Sequence, residues 1–480
     1  MKSFVSAAAL GVLACAATLP AMAYPAGTAI PANRLFYISG ASAQDQGIEF
    51  VMRKICTGNL DKFQFGNNDR FWSCDVTTAS SGLTAGIAGF YKFSSGGSGN
   101  GVNPLIDNSQ LTFTRESATS VCTNAAMPVI AGFTNGTDHT GCTNPSTSNV
   151  IPQIGFSDVE PKLITTPARA GALVANGANQ LVFGIPVSLN LYRELQANQG
   201  LVADDEYINM PTLSSTTVAS LFTGSIIDWS QLANNAGASL AAGSVKICRR
   251  VNTSGSQATT EVHFLRNRCT TSANNTKPML PNDAAGTGTA DPTFNLGNVY
   301  AGSGSGDVRD CLAVANDNGF RAVGLLSMEC QPENASCNIA STVGKFRFVK
   351  IDGAAPTLVD TVSGRYSYVA EQSINRAGGL SGDPLTLYNK LLALMSDPAV
   401  LAQINAGFRF TFGDSGLLGV PDGATLFAPL PPLTEAVVRA TPINSWNKNS
   451  LGTGTNNCQV SGQVNGAIVV NDDSPILPQG

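Results

Sequence analysis

The sequence predicts an α/β protein on a largely parallel sheet, and three observations carry that prediction. Segments of strand character alternate with segments of helical apolar spacing along most of the 480 residues. Leu181-Val182-Phe183-Gly184-Ile185-Pro186-Val187 and Ala322-Val323-Gly324-Leu325-Leu326 are continuous apolar runs, as expected of strands covered on both faces. Turns of Ser and Gly close several predicted strands, with helices after most of them. That arrangement places a cleft at the carboxyl ends of the sheet, where α/β folds hold ligands.

Taken in order, the chain opens with Lys2, an apolar run from Phe4 to Ala17 and the small-x-small site Ala21-Met22-Ala23. This reads as an export signal over residues 1–23, cleaved before Tyr24 and too short to anchor in a bilayer. Val12-Leu13-Ala14-Cys15 also fits a lipidation box, which would tether the chain instead. No later segment has the length and apolarity of a transmembrane helix. A periplasmic or secreted protein is expected. Arg34–Ala43 is a strand meeting a small-residue turn, Gln46–Lys54 a helix, Phe90–Phe93 a strand into Ser94-Ser95-Gly96-Gly97, and Ile154–Asp158 a third strand. Helices are expected at Ser215–Phe222, Asp307–Ala315, Pro384–Met395 and Pro398–Ala406, a hairpin edge at Phe346–Gly353 and a late strand at Gly466–Val470. Residues 56–74, 115–150 and 270–295 look like polar insertions.

Composition narrows the function. The net charge of −5 becomes −6 once Lys2 is lost, which argues against nucleic acid or an anionic membrane as partner but not against a small anion held by local dipoles. Charged residues are only 13% of the chain, the rest of the polar surface being Gly, Ser, Thr and Asn, as suits a secreted, loop-rich protein with two or three cores. Removing Cys15 from the 11 cysteines leaves an even set, consistent with a disulfide framework. Connectivity does not follow from sequence. Short loops favour Cys56–Cys74, Cys122–Cys142, Cys248–Cys269 and Cys330–Cys337, which leaves Cys311–Cys458. There is no C-x-x-C pair, and His139 and His263 have no second ligand at metal spacing, so no metal or other cofactor is expected.

The densest chemical signal is Val245-Lys246-Ile247-Cys248-Arg249-Arg250-Val251-Asn252-Thr253-Ser254-Gly255-Ser256, running into a helix from Gln257. A helix start with free N–H groups, two hydroxyls and a guanidinium is a ready anion site. By itself it is also an ordinary strand–turn–helix join with Ser256 as N-cap.

Other segments favour the first reading. Leu213–Trp229 resembles the helix and "F-x-G-x-I-x-x-W" segment of the periplasmic phosphate-binding protein family, the type II solute-binding proteins of ABC importers. Arg250–Ser256 resembles its "R-x-D-G-S-G-T" loop. Phe346–Gly353 with Pro356 and Ser363-Gly364-Arg365-Tyr366 resembles its "K-I-D-G-x-x-P … S-G-x-Y" segment. The resemblance implies a divergent member with a two-lobe α/β fold of the periplasmic-binding-protein type II class, with a hinge and an inter-lobe cleft. Lobe one would be residues 24–186 with 340–480 and lobe two 187–339, the crossings lying near Phe183–Ser188 and Leu325–Glu329. It further implies an anion site of Arg250, Ser254, Gly255 and Ser256, with Ser94 and Ser95 on the family's Ser-Ser-Gly-Gly turn and Asp158 on its "A-S-D-x-P" carboxylate. Gln44-Asp45 stands where the family has Thr and Phe, so Ser39 or Ser42 would have to supply a hydroxyl, and Asp45 adds a negative charge. The implied function is binding of a small oxyanion, phosphate first, for an ABC importer permease, without catalysis. The alternative is a secreted or surface interaction protein that kept the fold. Hydrolysis of phosphate esters has no Ser-His-Asp pattern behind it.

Overall fold

The sheet begins at Leu35–Gly40 (β1), with Phe36 and Ile38 buried and the strand ending in the small turn Gly40-Ala41-Ser42. A computed structural model describes residues 28–66, 68–234, 236–269, 279–280, 297–330, 332, 344–420, 434–444, 446–448, 455–458 and 462–463. The expected export signal, Cys15, Cys337, most of the 270–295 insertion and the strand at 466–470 lie outside the described residues. Helix Asp45–Ile55 (α1) follows β1 and buries Ile48, Val51, Met52 and Ile55 at helical spacing.

Cys56–Phe65 (β2), Asp69–Val76 (β3) and Gly86–Phe93 (β4) form an antiparallel run stapled by Cys56–Cys74. Residues 56–74 are thus part of the sheet and not a polar insertion. The reason is strand periodicity: Phe63, Phe65, Phe71 and Tyr91 build a small core with Ile30 and Phe113, while Trp72, Cys74 and Phe90 join the main core.

The strands that position the site are Ile154–Ser157 (β5), Leu173–Ser188 (β6), Lys246–Arg250 (β7), Val299–Gly302 (β8), Ala322–Gly324 (β9), Phe346–Ile351 (β10) and Val369–Ala377 (β11). Their helices are Gly255–Leu265 (α2) and Ser305–Asp317 (α3). β1 is parallel to β4 and β5, and β7 is parallel to β8 and β9. β6, by contrast, runs antiparallel to β9, β10 and β11. The sheet is therefore mixed, where a mostly parallel one was expected, because the β2–β4 run and the return strands all reverse direction.

β6 joins two lobes. Leu173–Val182 pairs with β11, whose other edge carries β5. Phe183–Gly184 pairs with Leu326–Ser327, and Ile185–Ser188 pairs with β10. The run Ala322–Leu326 is accordingly not one strand. Leu325 separates β9, which lies beside β7, from Leu326–Ser327. β10 pairs along one edge with Ile185–Ser188 and along the other with Thr212–Leu213. One large hydrophobic core runs through both lobes, with the small β2–β4 cluster beside it.

Two disulfides differ from expectation. Cys248 on β7 bonds Cys311 on α3, which packs on that strand, and Cys269 bonds Cys458. Cys248–Cys269 and Cys311–Cys458 therefore do not form, each sulfur being taken by the other partner. Cys122–Cys142 forms as expected, and Cys330 is disulfide-bonded.

Cys269–Cys458 closes a separation of 189 residues and Cys122–Cys142 one of 20. Chain entropy then predicts that replacing the first pair by Ser costs about 5 kcal/mol and the second about 3 kcal/mol. Urea unfolding of the two double variants should show that order. The reverse order would mean that the longer tether does not constrain the unfolded chain.

Candidate functional site

β7 delivers Arg250 to the sheet edge, and the turn Val251–Ser254 swings directly into α2. Ser254, not Ser256, is the N-cap, its hydroxyl accepting from Gln257 N at 3.4 Å. Ser256 is thereby free to face outward from the first turn, and its Oγ donates to Asp158 Oδ2 at 3.1 Å. Among the described residues the N–H groups of Gly255 and Ser256 have no hydrogen-bond partner, as expected of the first turn of a helix. Gly255 is required by close approach: a Cβ there would lie 2.2 Å from Ser98 Oγ and 2.7 Å from the Asp158 Cβ.

Asp158 lies at the end of β5, 1% exposed. Its Oδ1 is buried without a hydrogen-bond partner. Burial raises the carboxyl to about 6, against the opposing pull of Arg250, the Ser256 hydroxyl and the Gln44 amide. It caps no helix of its own and is not a surface group.

Arg250 is also 1% exposed. Its Nε donates to Gly302 O at 3.2 Å, Nη2 to Ser303 O at 2.7 Å and Nη1 to Ser305 Oγ at 3.4 Å. These contacts come from the turn between β8 and α3 and aim the guanidinium along the α3 N-terminus. Burial lowers its pKa, opposed by the carboxylates of Asp158, Asp307 and Glu329. Gly97, with φ +63, lies across from it, where a Cβ would sit 3.2 Å from Arg250 Nη2 and 3.2 Å from the Ser254 Cα.

The turn after β1 supplies Ser42, whose Oγ lies 3.2 Å from Ser305 Oγ and accepts from Ser305 N. Ser39 turns away and donates to Asn100 O at 2.6 Å. Of the two hydroxyls expected to compete for this place, Ser42 reaches the Arg250 cluster. Asp45 does not confront the site with a bare charge. Its Oδ2 meets Arg70 at 2.5 Å, while Oδ1 meets Lys92 at 3.3 Å and accepts from Ser94 Oγ at 2.7 Å. Ser94 is thus bonded within this ion cluster, one step behind the guanidinium, and Ser95 meets Ser303 Oγ at 3.0 Å. Glu329 accepts from Gln46 N near the start of α1. Burial and the nearby Asp45 carboxylate hold Glu329 well above the usual carboxylate range.

The structure therefore brings Ser42, Asp158, Arg250, Ser254, Gly255 and Ser256 into one buried cluster, with Ser95 at its edge and Ser39 and Ser94 directed to neighbours. Sequence reasoning missed Ser98, Lys92, Arg70 and Glu329; it places the Ser303-Gly304-Ser305-Gly306 turn among the Ser and Gly turns at the cleft without naming Ser303 or Ser305 as site residues. The two lobes touch here: Gly99 N donates to Thr253 O at 2.8 Å and Thr253 Oγ1 to Gly96 O at 3.2 Å. His139 lies elsewhere, between Asp61 and Asn124. Among the described residues no group of three or more His, Cys, Asp or Glu side chains could hold a metal, and no helix is long and apolar enough to cross a membrane.

No family model and no curated protein matches the chain. Among solved structures it is similar to a nominal phosphate ABC transporter substrate-binding protein from Clostridium perfringens with bound phosphate. That match has 10% identity and a TM-score of 0.42, covering 78% of this chain and 98% of that one. It is also similar to PstS from Borrelia burgdorferi, at 11% identity and TM-score 0.34, covering 80% and 98% of the two chains. An ABC-type phosphate transport receptor from Vibrio cholerae matches at 14% identity and TM-score 0.30, covering 51% and 74%.

The Asp45 cluster makes a stability prediction. Asp45→Ala leaves Arg70 and Lys92 buried without their carboxylate and should cost about 3–5 kcal/mol in denaturant unfolding. A cost below about 1 kcal/mol would show that the two cations are satisfied without Asp45.

Proposed function

We propose that this protein is an exported solute-binding protein for a small oxyanion, phosphate first, held between its two lobes. The observation that carries the proposal is the pairing of one buried guanidinium with one buried carboxyl oxygen that lacks a partner, both beside the uncapped start of α2. A tetrahedral anion between them would accept from Arg250, from the Gly255 and Ser256 N–H groups and from the surrounding hydroxyls. A phosphate that keeps a proton would donate it to Asp158 Oδ1. Sulfate has no proton to give and would meet an unpaired carboxylate, so the site discriminates by what it leaves unsatisfied. Binding requires neither a covalent step nor a metal, and we assign the chain no catalytic role.

The ligand groups come from both lobes and are buried, so entry requires the lobes to part. We place the pivot where β6 and residues 325–327 cross, with β10 moving with the second lobe. An ABC importer permease is the partner proposed to receive the anion.

A thermal-shift titration tests the reading directly, since a ligand that binds the folded state raises its stability by mass action. Phosphate should raise Tm. No shift with phosphate, arsenate, sulfate or molybdate would favour an interaction protein that does not bind solute. Arg250→Ala should weaken phosphate binding by about a hundredfold, from the loss of charge-assisted hydrogen bonds of about 1.5–3 kcal/mol each. Binding equal to the parent would remove Arg250 from the site.

Asp158 gives the pH dependence. Its pKa is raised from 3.8 to about 6, so it is a neutral donor well below pH 6 and a carboxylate well above. Sulfate should therefore bind measurably at the acid end and lose affinity as the pH rises through about 6. Asp158→Asn should bind sulfate across the range. The same shift means that the ligand-free protein loses stability from this group as the pH rises from 3.8 to about 6. Sulfate affinity independent of pH in the parent would contradict the role given to Asp158.

A further inference from the structure

α2 has two functional ends. Its first turn faces the anion cluster, while its last residues line a separate cavity of about 640 Å³. From Ser256 to His263 is about 10 Å along the helix axis, and the two regions share no lining residue. Val262, His263 and Arg266 form one wall of the cavity, Tyr366, Trp446 and Lys448 the other, and the Cys269–Cys458 disulfide lies in its lining.

The chemistry of the lining is one-sided. It contains two cationic residues, a histidine, two aromatic rings and two valines, and no Asp or Glu. Lys448 is buried and donates a single side-chain hydrogen bond, to Val369 O at 3.0 Å, with no carboxylate at ion-pair distance among the described residues. Arg266 closes α2 in the left-handed conformation with φ +51, and its exposed guanidinium makes no hydrogen bond or ion pair among the described residues. His263 lies tilted against Tyr368 at 5.0 Å and edge-on to Phe264 at 4.6 Å, but its ring nitrogens have no hydrogen-bond partner among the described residues. Burial keeps His263 neutral, its pKa lowered to about 3, so it can donate from one nitrogen and accept at the other.

Spare donors at two cationic groups, an uncommitted imidazole and apolar ring surface define a ligand with an anionic head and an apolar body. A bare inorganic anion would leave the half-buried Trp446 and Val262 surfaces without contact, and a neutral hydrocarbon would leave the Lys448 and Arg266 donors without an acceptor. We propose that this cavity is a second binding site, for a small organic acid whose carboxylate is held by Arg266 and Lys448 and whose aromatic or aliphatic body packs against Trp446 and Val262. The site is independent of whether the cluster around Arg250 binds phosphate.

Calorimetric titration of the full disulfide-bonded protein with indole-3-acetate and benzoate tests this, with indole-3-acetamide and benzamide as neutral counterparts. At least one acid should bind saturably to a single site, with its amide about tenfold or more weaker. Arg266→Ala should weaken the acid by about tenfold, since a charge-assisted hydrogen bond is lost. Val262→Trp, which fills the cavity from the α2 side, should abolish binding. Far-UV circular dichroism and the melting temperature of both variants establish that they are folded. Absence of saturable binding by either acid, equal binding of acid and amide, or parent-like binding by folded Val262→Trp would each overturn the proposal.

Discussion

A guanidinium buried beside the N-termini of two helices is in an awkward place, and much of the structure around it follows from that. The partial positive charge at a helix start repels a cation, and the carbonyls of Gly302 and Ser303 orient Arg250 without neutralising it. Asp158 supplies a negative charge beside it, with a pKa that burial raises to about 6. On the proposed reading the anion sits among the N–H groups of Gly255 and Ser256, the Ser42–Ser305 pair and the unpaired Asp158 oxygen. The acidic residue that could have spoiled the site, Asp45, is taken up by Arg70 and Lys92.

The same cluster is where the lobes meet, and its position relative to the covalent tethers matters for motion. Tyr366 donates to Phe183 O at 2.6 Å, and Phe183 N donates to Tyr368 O, which ties β6 to the approach of β11 at the crossing. Close by, Arg268 donates to Leu163 O, and Cys269 is bonded to Cys458. Both contacts pin the far end of α2 to the first lobe. The first turn of α2 has only side-chain and loop contacts across the cleft, such as Ser256 to Asp158 and Gly99 to Thr253. Parting the lobes on the proposed reading would turn α2 about its tethered end, opening the anion cluster while leaving the far end in place.

The sequence made legible those features that local chemistry determines. The helices Ser215–Phe222 and Pro398–Asn405 follow from apolar spacing and from caps at Ser214 and Asp397, and the strands β1, β4 and β5 from their apolar runs. Arg250, Ser254, Gly255 and Ser256 stand in one short segment, so their convergence was visible before any fold. Features set by tertiary pairing were not. The hairpin β2–β3 looked like a polar loop because Asn, Asp and Gly alternate with the aromatic residues that two cores later bury. Cys248 and Cys269 are close in sequence but take partners distant in sequence, Cys311 and Cys458. Lys92 and Arg70 lie on strands with nothing nearby in sequence to mark them as partners of Asp45. The N-cap went to Ser254 because the helix begins two residues earlier than hydroxyl spacing alone suggested.

The most direct test of the central claim is the location of a bound anion. Arsenate shares the tetrahedral shape and retained proton of phosphate, and arsenic scatters anomalously. A crystal of the full chain grown with arsenate should show one anomalous peak enclosed by Arg250, Asp158, Ser42 and the first turn of α2, with an arsenate oxygen at hydrogen-bond distance from Asp158 Oδ1. A peak elsewhere, or an arsenate-soaked crystal with no peak between Arg250 and Asp158, would contradict the account.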